Sequence, residues 1–92
     1  MSKYRWDERK ARDNVTHHGV SFEEAESVPD TDLGRWFPDD THSAREERFI
    51  VIGPSSLGRL LLVVTSEGGP TPRIISARRA TKRERHAYET RS

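Results

Sequence analysis

Cysteine is absent from the sequence, and this absence excludes disulfide bonds and zinc sites built from thiolates. A continuous apolar stretch long enough to span a bilayer is also lacking. Residues 1–7 contain no apolar signal region, so we expect no export signal. These absences are typical of a protein of the reducing cytoplasm, which is the location we expect, without a membrane partner.

Motifs for metal or nucleotide binding are missing as well. The sequence has no HExxH motif and no glycine-rich loop followed by lysine. His17 and His18 are adjacent, so their side chains would point in different directions on a helix. His42 and His86 lie far from them in the chain. We therefore expect neither a metal ion nor an organic cofactor.

Apolar residues are scarce, since they make up 32% of the 92 residues while charged residues make up 34%. A chain of this length usually forms one domain, and we expect residues 1–92 to be that domain. So small a domain buries only about two thirds of the surface that its unfolded chain exposes. The predicted core is therefore thin, consisting of one face of one sheet with helices packed on it.

The net charge of +1 hides a strong asymmetry along the chain. Residues 21–47 carry a net charge of −7 and residues 71–92 a net charge of +5. Thirteen of the sixteen basic residues are arginine, which suits bidentate contact with phosphate. The basic block indicates an anionic partner such as nucleic acid. The alternative is that it is only the solvated face of a helix.

Capping signals predict two short helices near the N-terminus. Asp7 can cap a helix over Glu8–His18, and Gly19 can end it in the left-handed conformation. Trp6 and Ala11 occupy the positions of a hydrophobic staple. The residues that share the predicted apolar face of this helix are Ala11, Val15 and His18.

The second predicted helix covers Phe22–Ser27. Ser21 and Glu24 form a capping box at its start, and Pro29 stops it. Phe22 and Ala25 are expected to face inward.

Apolar runs separated by turn residues then predict an antiparallel meander. Leu60–Thr65 is almost wholly apolar and is the best candidate for the central strand. The other predicted strands are Leu33–Phe37 at an edge, Arg45–Ile52 and Arg73–Ala77, with turns at residues 53–58 and 68–70. The predicted fold is therefore α+β, with N-terminal helices, a meander sheet and a C-terminal helix.

The end of the last predicted strand is the candidate phosphate site. Residues 73–77 run directly into Arg78 and Arg79. Thr81 and Glu84 then form a capping box that opens a helix to about residue 88 or 90. A strand end that presents cations beside the start of a helix is suited to holding phosphate.

Other polar residues at strand ends are further candidates. In a meander, Arg59 and Arg78 share one end of the sheet, whereas His42, Glu46 and Arg48 lie toward the opposite end. This separation argues against one compact catalytic cluster. Each residue also has a structural interpretation: Glu46 and Arg48 can form an exposed pair, Arg59 can flank a turn and His42 can cap a loop.

RNA cleavage without a metal requires a base for the ribose 2′-hydroxyl, cations for the phosphate and an acid for the leaving oxygen. Arginine suits the phosphate role because it stays protonated and donates in pairs. The residue types leave the general base open.

Several motifs in a fixed order carry a resemblance to a known family. They are Trp6-Asp7-x-x-Lys10, Asn14-x-x-His17-His18-Gly19-Val20-Ser21-Phe22-Glu23-Glu24-Ala25, Asp40-x-His42-Ser43-x-x-Glu46-x-Arg48, Ile52-Gly53-x-Ser55-x-x-Gly58-Arg59-Leu60-Leu61, Arg73-Ile74-Ile75-Ser76-Ala77-Arg78-Arg79-Ala80 and Glu84-Arg85-x-x-Tyr88-Glu89. In this order they resemble the BrnT family of bacterial toxins, over nearly the whole chain.

The resemblance implies a RelE-like fold, ribonuclease activity that blocks translation, and an antitoxin of the BrnA type. It also implies a complex that represses its own operon, with operator DNA contacted through the antitoxin, and a dimer of toxin–antitoxin heterodimers is possible. The residues predicted for catalysis are His42, Glu46, Arg48, Arg59, Arg78 and Arg79. The residues predicted to bind RNA are Lys10, Lys82 and Arg83.

Two positions depart from the family pattern. His17 stands where a lysine often occurs, and Glu67 stands where a cation usually follows the strand. A degenerate toxin that only binds an antitoxin is therefore the alternative to an active ribonuclease, and the acidic stretch with Trp36 and Phe37 would then be its main surface. A simple nucleic-acid-binding domain is the third hypothesis, and it predicts binding that depends on salt, without cleavage.

Overall fold

The computed structural model describes residues 3–39 and 47–90. Within these ranges three helices and four strands follow one another along the chain. They are α1 (Glu8–His18), α2 (Phe22–Glu26), β1 (Arg35–Pro38), β2 (Arg48–Pro54), β3 (Leu60–Ser66), β4 (Arg73–Arg79) and α3 (Lys82–Thr90). The predicted α+β class and the order of its elements are confirmed.

The strands form an antiparallel meander in the order β1-β2-β3-β4. The apolar run of β3 pairs with a neighbour on both sides, so its prediction as the central strand is confirmed. Val63 lies opposite Val51 of β2 and Ala77 of β4. Because side chains alternate between the two faces of a sheet, each strand contributes side chains to both faces.

Each face of the sheet carries a hydrophobic cluster. One cluster is covered by α1 and α2 and includes Phe22, Val51, Leu61 and Val63, all fully buried. The other contains Ile52, Leu60 and Leu62, with Tyr88 of α3 packed against it. The prediction of a core on one face only was wrong, because α3 crosses to the face opposite α1 and α2.

Helix α1 has the predicted limits and caps. Asp7 Oδ1 accepts hydrogen bonds from the backbone nitrogens of Arg9 and Lys10 at 2.8 and 3.3 Å. Gly19 adopts a left-handed φ of 68°. The predicted apolar face is confirmed only for Ala11, which packs against the core. Val15 and His18 are exposed, and the buried residue of this helix is Asn14.

Asn14 is buried because its amide replaces a missing strand neighbour. Its Oδ1 accepts from the backbone nitrogen of Ala77 at 3.1 Å, and its Nδ2 donates to the carbonyl of Ala77 at 2.8 Å and to that of Val20 at 2.9 Å. These bonds fix α1 against the outer edge of β4.

Several strand limits differ from their predicted positions. β1 begins and ends later than Leu33–Phe37, and Leu33 is exposed. β2 continues through Pro54, while its predicted start at Arg45 lies outside the described residues. β4 continues through Arg79, so the two arginines belong to the strand and do not follow it.

No helix in the described ranges is both long enough and apolar enough to pass through a membrane.

Candidate active site

The predicted corner of cations lies at the end of the sheet where β3 starts and β4 ends. Arg59 directly precedes β3, and Leu62 and Leu61 lie opposite Arg78 and Arg79. Arg59 and Arg78 therefore share one end of the sheet, as predicted. Leu61 and Leu62 belong to the clusters on opposite faces, so Arg78 and Arg79 also point to opposite faces.

Arg59 is held on the α2 face by a buried carboxylate. Its Nε donates to Glu24 Oε2 at 3.0 Å, and its Nη2 donates to Glu24 Oε1 and, at 3.1 Å, to the carbonyl of Gly19. Ser55 Oγ also donates to Glu24 Oε2, at 2.6 Å. This network joins the end of α1, helix α2 and the β2–β3 loop.

Only half of the capping box predicted for Ser21 and Glu24 forms, because the Glu24 carboxylate binds Arg59 and Ser55. Ser21 Oγ does accept from the backbone nitrogen of Glu24 at 3.0 Å, but the Glu24 carboxylate points into the protein and binds Arg59. The hydrogen bonds from this guanidinium lower the pKa of Glu24, against the opposing effect of burial. The same contact raises the pKa of Arg59. Glu24 therefore stays ionised and is poorly suited to accept a substrate proton.

Arg78 is held on the other face by Glu84 of α3. Its Nη1 and Nη2 donate to the two carboxylate oxygens of Glu84 at 2.8 and 2.7 Å. The predicted capping box is also complete, since the backbone nitrogen of Thr81 donates to Glu84 Oε1 at 2.9 Å and that of Glu84 donates to Thr81 Oγ1 at 3.1 Å. The Arg78 guanidinium is the largest cause that lowers the pKa of Glu84.

Three cations at the corner remain exposed and have no hydrogen-bond or ion-pair partner within the described chain. They are Arg79, Lys82 and Arg83. Arg79 is close enough to Glu24 to lower its pKa through charge, which places it beside the Arg59 network. The corner therefore presents free cations around two arginines that carboxylates already hold.

The remaining predicted residues are dispersed. Arg48 starts β2 opposite Ser66, at the far end of the sheet from the corner, as predicted. Lys10 is exposed on α1 and lines a shallow cleft of about 170 Å³ with His17 and His18. His42 and Glu46 lie outside the described residues.

Glu67, one of the two departures from the family pattern, has a structural role. It is half-buried and its Oε2 accepts a hydrogen bond from Tyr4 Oη at 3.0 Å. Burial, and then this contact, raise the pKa of Tyr4. The other departure, His17, is exposed, and its Nδ1 lies 2.8 Å from the carbonyl of Asp13.

Residues 3–39 and 47–90 contain no group of three or more side chains placed to hold a metal ion. The two carboxylates at the corner, Glu24 and Glu84, each bind an arginine on opposite faces of the sheet. The chemistry that the corner supports is recognition of phosphate by cations. Glu24 and Glu84, whose pKa values are lowered, are both poorly suited to accept a proton.

Comparison with known proteins identifies the family to which this chain belongs. A family model described as "Ribonuclease toxin, BrnT, of type II toxin-antitoxin system" matches residues 6–84. The chain belongs to the BrnT family. Its predicted membership, its class as a toxin of a toxin–antitoxin system and its ribonuclease activity are therefore confirmed, and the family implies an antitoxin partner.

A solved BrnT structure has the same fold. The Brucella abortus ribonuclease toxin BrnT, known from a crystal structure at 1.1 Å resolution, superposes with a TM-score of 0.65 and 24% sequence identity, over 86% of this chain and 96% of that one. No curated protein sequence matches the chain.

Sequence reasoning missed the residues that hold the corner together. Glu24 and Glu84 carry the same capping-box signal, and only the fold separates the carboxylate that completes the box from the one that turns inward. Ser55 reads as an ordinary turn residue. The partners of Arg59 and Arg78 could have been found only by asking which acidic residues the meander places at the same sheet end.

Proposed function

We propose that the protein is an endoribonuclease that cleaves RNA without a metal ion, blocks translation in the cytoplasm and is neutralised by an antitoxin of the BrnA type. Residues 1–92 act as one domain in this proposal. The observation that carries it is the family match over residues 6–84, together with free cations around the strand-to-helix corner.

The geometry supports different roles for the arginines of the corner. Arg79 is exposed and unpaired within the described chain, so it can contact a phosphate directly. Arg59 and Arg78 are each bound by a carboxylate, so a phosphate would either share or replace that partner. In this proposal Arg79, Lys82 and Arg83 bind the RNA backbone, with Arg59 and Arg78 stabilising charge on the phosphate that reacts.

Proton transfer is assigned to His42 or Glu46, with Arg48 and Lys10 as further contacts to RNA. Support for this assignment comes from their place in the family motifs. The arginine contacts that lower the pKa of Glu24 and of Glu84 also disfavour both of these residues as bases. Arg48 lies at the opposite end of the sheet from Arg79, so the substrate would extend along the sheet.

The test is RNA cleavage by the purified full chain in the presence of EDTA, combined with growth after induced expression. Wild type is expected to cleave RNA in EDTA and to arrest growth. Arg79→Ala is expected to cleave at least roughly tenfold more slowly, since a lost charge-assisted contact to phosphate costs about 1.5–3 kcal/mol. Arg12→Ala is the matched control, because it removes an exposed arginine on α1 whose guanidinium has no partner within residues 3–39 and 47–90.

Cleavage that disappears in EDTA and returns with added magnesium would contradict the metal-independent mechanism. A folded wild-type protein that binds the antitoxin, cleaves no RNA and leaves growth unaffected would instead identify a degenerate toxin. The observation that favours this second candidate is that Arg59 and Arg78 both carry structural ion pairs.

A further inference from the structure

A groove of about 800 Å³ lies at the opposite end of the sheet from the corner. Its lining combines the N-terminal segment, the start of β4 and the turn between β3 and β4. The residues that matter for its chemistry are Arg5, Trp6, Glu47 and Arg73, with the turn at residues 68–71 forming one wall.

The backbone of this groove is fixed. The backbone nitrogen of Arg5 donates to the carbonyl of Pro72 at 3.0 Å, and the carbonyl of Arg5 accepts from the backbone nitrogen of Ile74 at 2.9 Å. Arg5 and Arg73 are therefore neighbours across a parallel bridge. Gly68 packs against Glu47, because a Cβ added at Gly68 would lie 3.3 Å from three atoms of Glu47.

The two bridged arginines are free to bind an anion. Both are exposed, and within the described chain neither guanidinium has a hydrogen-bond or ion-pair partner. This distinguishes them from Arg59 and Arg78, whose donors bind carboxylates. Two neighbouring arginines that repel each other gain most from a shared anion such as phosphate.

Trp6 supplies an aromatic surface beside these cations. It is half-buried, and its ring meets that of Phe22 edge to face, with centroids 5.9 Å apart and an interplanar angle of 79°. The core therefore fixes the orientation of the indole, and the rest of the ring lines the groove. A fixed aromatic ring next to paired arginines is the arrangement that binds single-stranded nucleic acid, with a base stacked on the ring and the backbone on the cations.

Two carboxylates also line the groove, and neither prevents this use. Asp7 is directed to the amides at the start of α1. Glu47 is exposed, and a carboxylate can accept hydrogen bonds from the amino group of a base.

We propose that this groove binds a single-stranded segment of the RNA substrate, with a base stacked on Trp6 and a phosphate held by Arg5 and Arg73. The site deepens the proposed function and rests on it for the identity of the ligand. Arg73 and Arg79 begin and end the seven residues of β4, so the groove lies roughly 20 Å from the corner. RNA bound at both places would extend along the length of the sheet.

Binding of a short fluorescent 2′-O-methyl RNA to the full chain tests the proposal without cleavage, because the 2′-hydroxyl is blocked. Trp6→Leu is expected to weaken binding at least roughly fivefold, the lower limit for losing one stacked base. Arg73→Ala is expected to weaken it at least roughly tenfold, because it removes a charge-assisted contact to phosphate. Trp6→Phe retains an aromatic ring and is expected to recover most of the affinity. Arg12→Ala is the matched control for charge, and near-ultraviolet circular dichroism checks folding.

Unchanged binding by folded Arg73→Ala and Trp6→Leu would overturn the proposal. If these variants lose affinity for the antitoxin and keep that for RNA, the groove is a protein-binding surface and the proposal is also wrong. Failure of the ribonuclease proposal has a different signature: wild type would bind the oligonucleotide through Trp6 and Arg73, yet cleave no unmodified RNA.

Discussion

At the scale of single residues, two buried polar side chains decide how the helices attach to the sheet. Asn14 satisfies both backbone groups of Ala77 on the outer edge of β4. Glu24 binds Arg59 and Ser55 and so ties α2 to the β2–β3 loop. Both residues sit in stretches of sequence where their types favour a surface position, so their burial follows from the tertiary fold and not from local pattern.

Replacing Asn14 should destabilise the protein strongly. Asn14→Ala leaves the buried N–H and C=O of Ala77 without partners, and we expect a loss of about 3 kcal/mol in the free energy of unfolding. Asn14→Asp keeps the shape but loses the donor, so it should be no better than alanine. Urea denaturation measures both, with Arg12→Ala as the control on the exposed side of α1. A loss below about 1 kcal/mol for both variants would show that water satisfies this edge.

The Glu24 pair should make stability depend on pH in the acid range. Because the folded-state pKa of Glu24 is lowered, its contribution is present above the ordinary glutamate pKa and is lost as the pH falls toward the lowered value. At pH 7 Glu24→Gln should cost about 2 kcal/mol, and the difference from wild type should shrink toward pH 3.

Urea denaturation of wild type and Glu24→Gln at pH 7, 5 and 3 measures this effect. Glu84 also has a lowered pKa and the same sign, so only the difference between the two proteins isolates Glu24. Glu23→Gln, at the exposed neighbouring position, should behave like wild type throughout. A stability difference that is constant from pH 7 to pH 3 would refute the assigned role of the Glu24 charge.

At the scale of elements, α3 is the least secured part of the described fold. None of its residues is buried. It is held by the Arg78–Glu84 pair and by Tyr88, whose hydroxyl donates to the carbonyl of Leu33 at 2.8 Å and whose ring lies 5.8 Å from the Arg35 guanidinium. Since solvent screens an ion pair that is only partly buried, Tyr88 should carry most of the attachment.

Tyr88→Ala should therefore detach α3 while the sheet stays folded. We expect the amides of residues 85–90 to exchange with solvent much faster than in wild type, while those of β3 keep their protection. Hydrogen exchange followed by mass spectrometry measures this, with His86→Ala as the control at an exposed position of the same helix. Equal loss of protection in β3 and α3 would mean that α3 folds as one unit with the sheet.

The positions of the helices and strands were the part of the structure that the sequence predicted best. The sequence predicted the strand Leu60–Thr65 because a strand buried on both faces is apolar at nearly every position. Asp7, Gly19 and the Thr81–Glu84 box were readable because capping chemistry is local. The predicted face of α1 was wrong at Val15 and His18 because Asn14, a polar residue, occupies the buried position. The predicted end of β4 was two residues too early because arginine gives no signal for a strand.

At the scale of the whole molecule, the described cations differ in whether a carboxylate binds them. Arg59 and Arg78 are bound by carboxylates and brace the helices, whereas Arg79, Lys82 and Arg83 at one end and Arg5 and Arg73 at the other have no partners within residues 3–39 and 47–90. The sequence showed the basic block but could not show this division, because pairing depends on which acidic residues the fold brings near. RNA bound to both sets of cations would contact positive charge at the two ends of the sheet.

This division predicts how RNA affinity responds to salt. For single-stranded nucleic acid, each phosphate neutralised by a cation contributes about 0.7 to the slope of log affinity against log salt concentration. Arg79→Ala should therefore lower affinity and reduce the steepness of that slope by about 0.7. Trp6→Leu should lower affinity and leave the slope unchanged, because a stacked base releases no counterion. Titrations of a 2′-O-methyl RNA at several salt concentrations measure both effects, with Arg12→Ala as the charge control. A slope that falls equally for Arg79→Ala and Arg12→Ala would mean that RNA responds only to net charge and that the corner is no specific phosphate site.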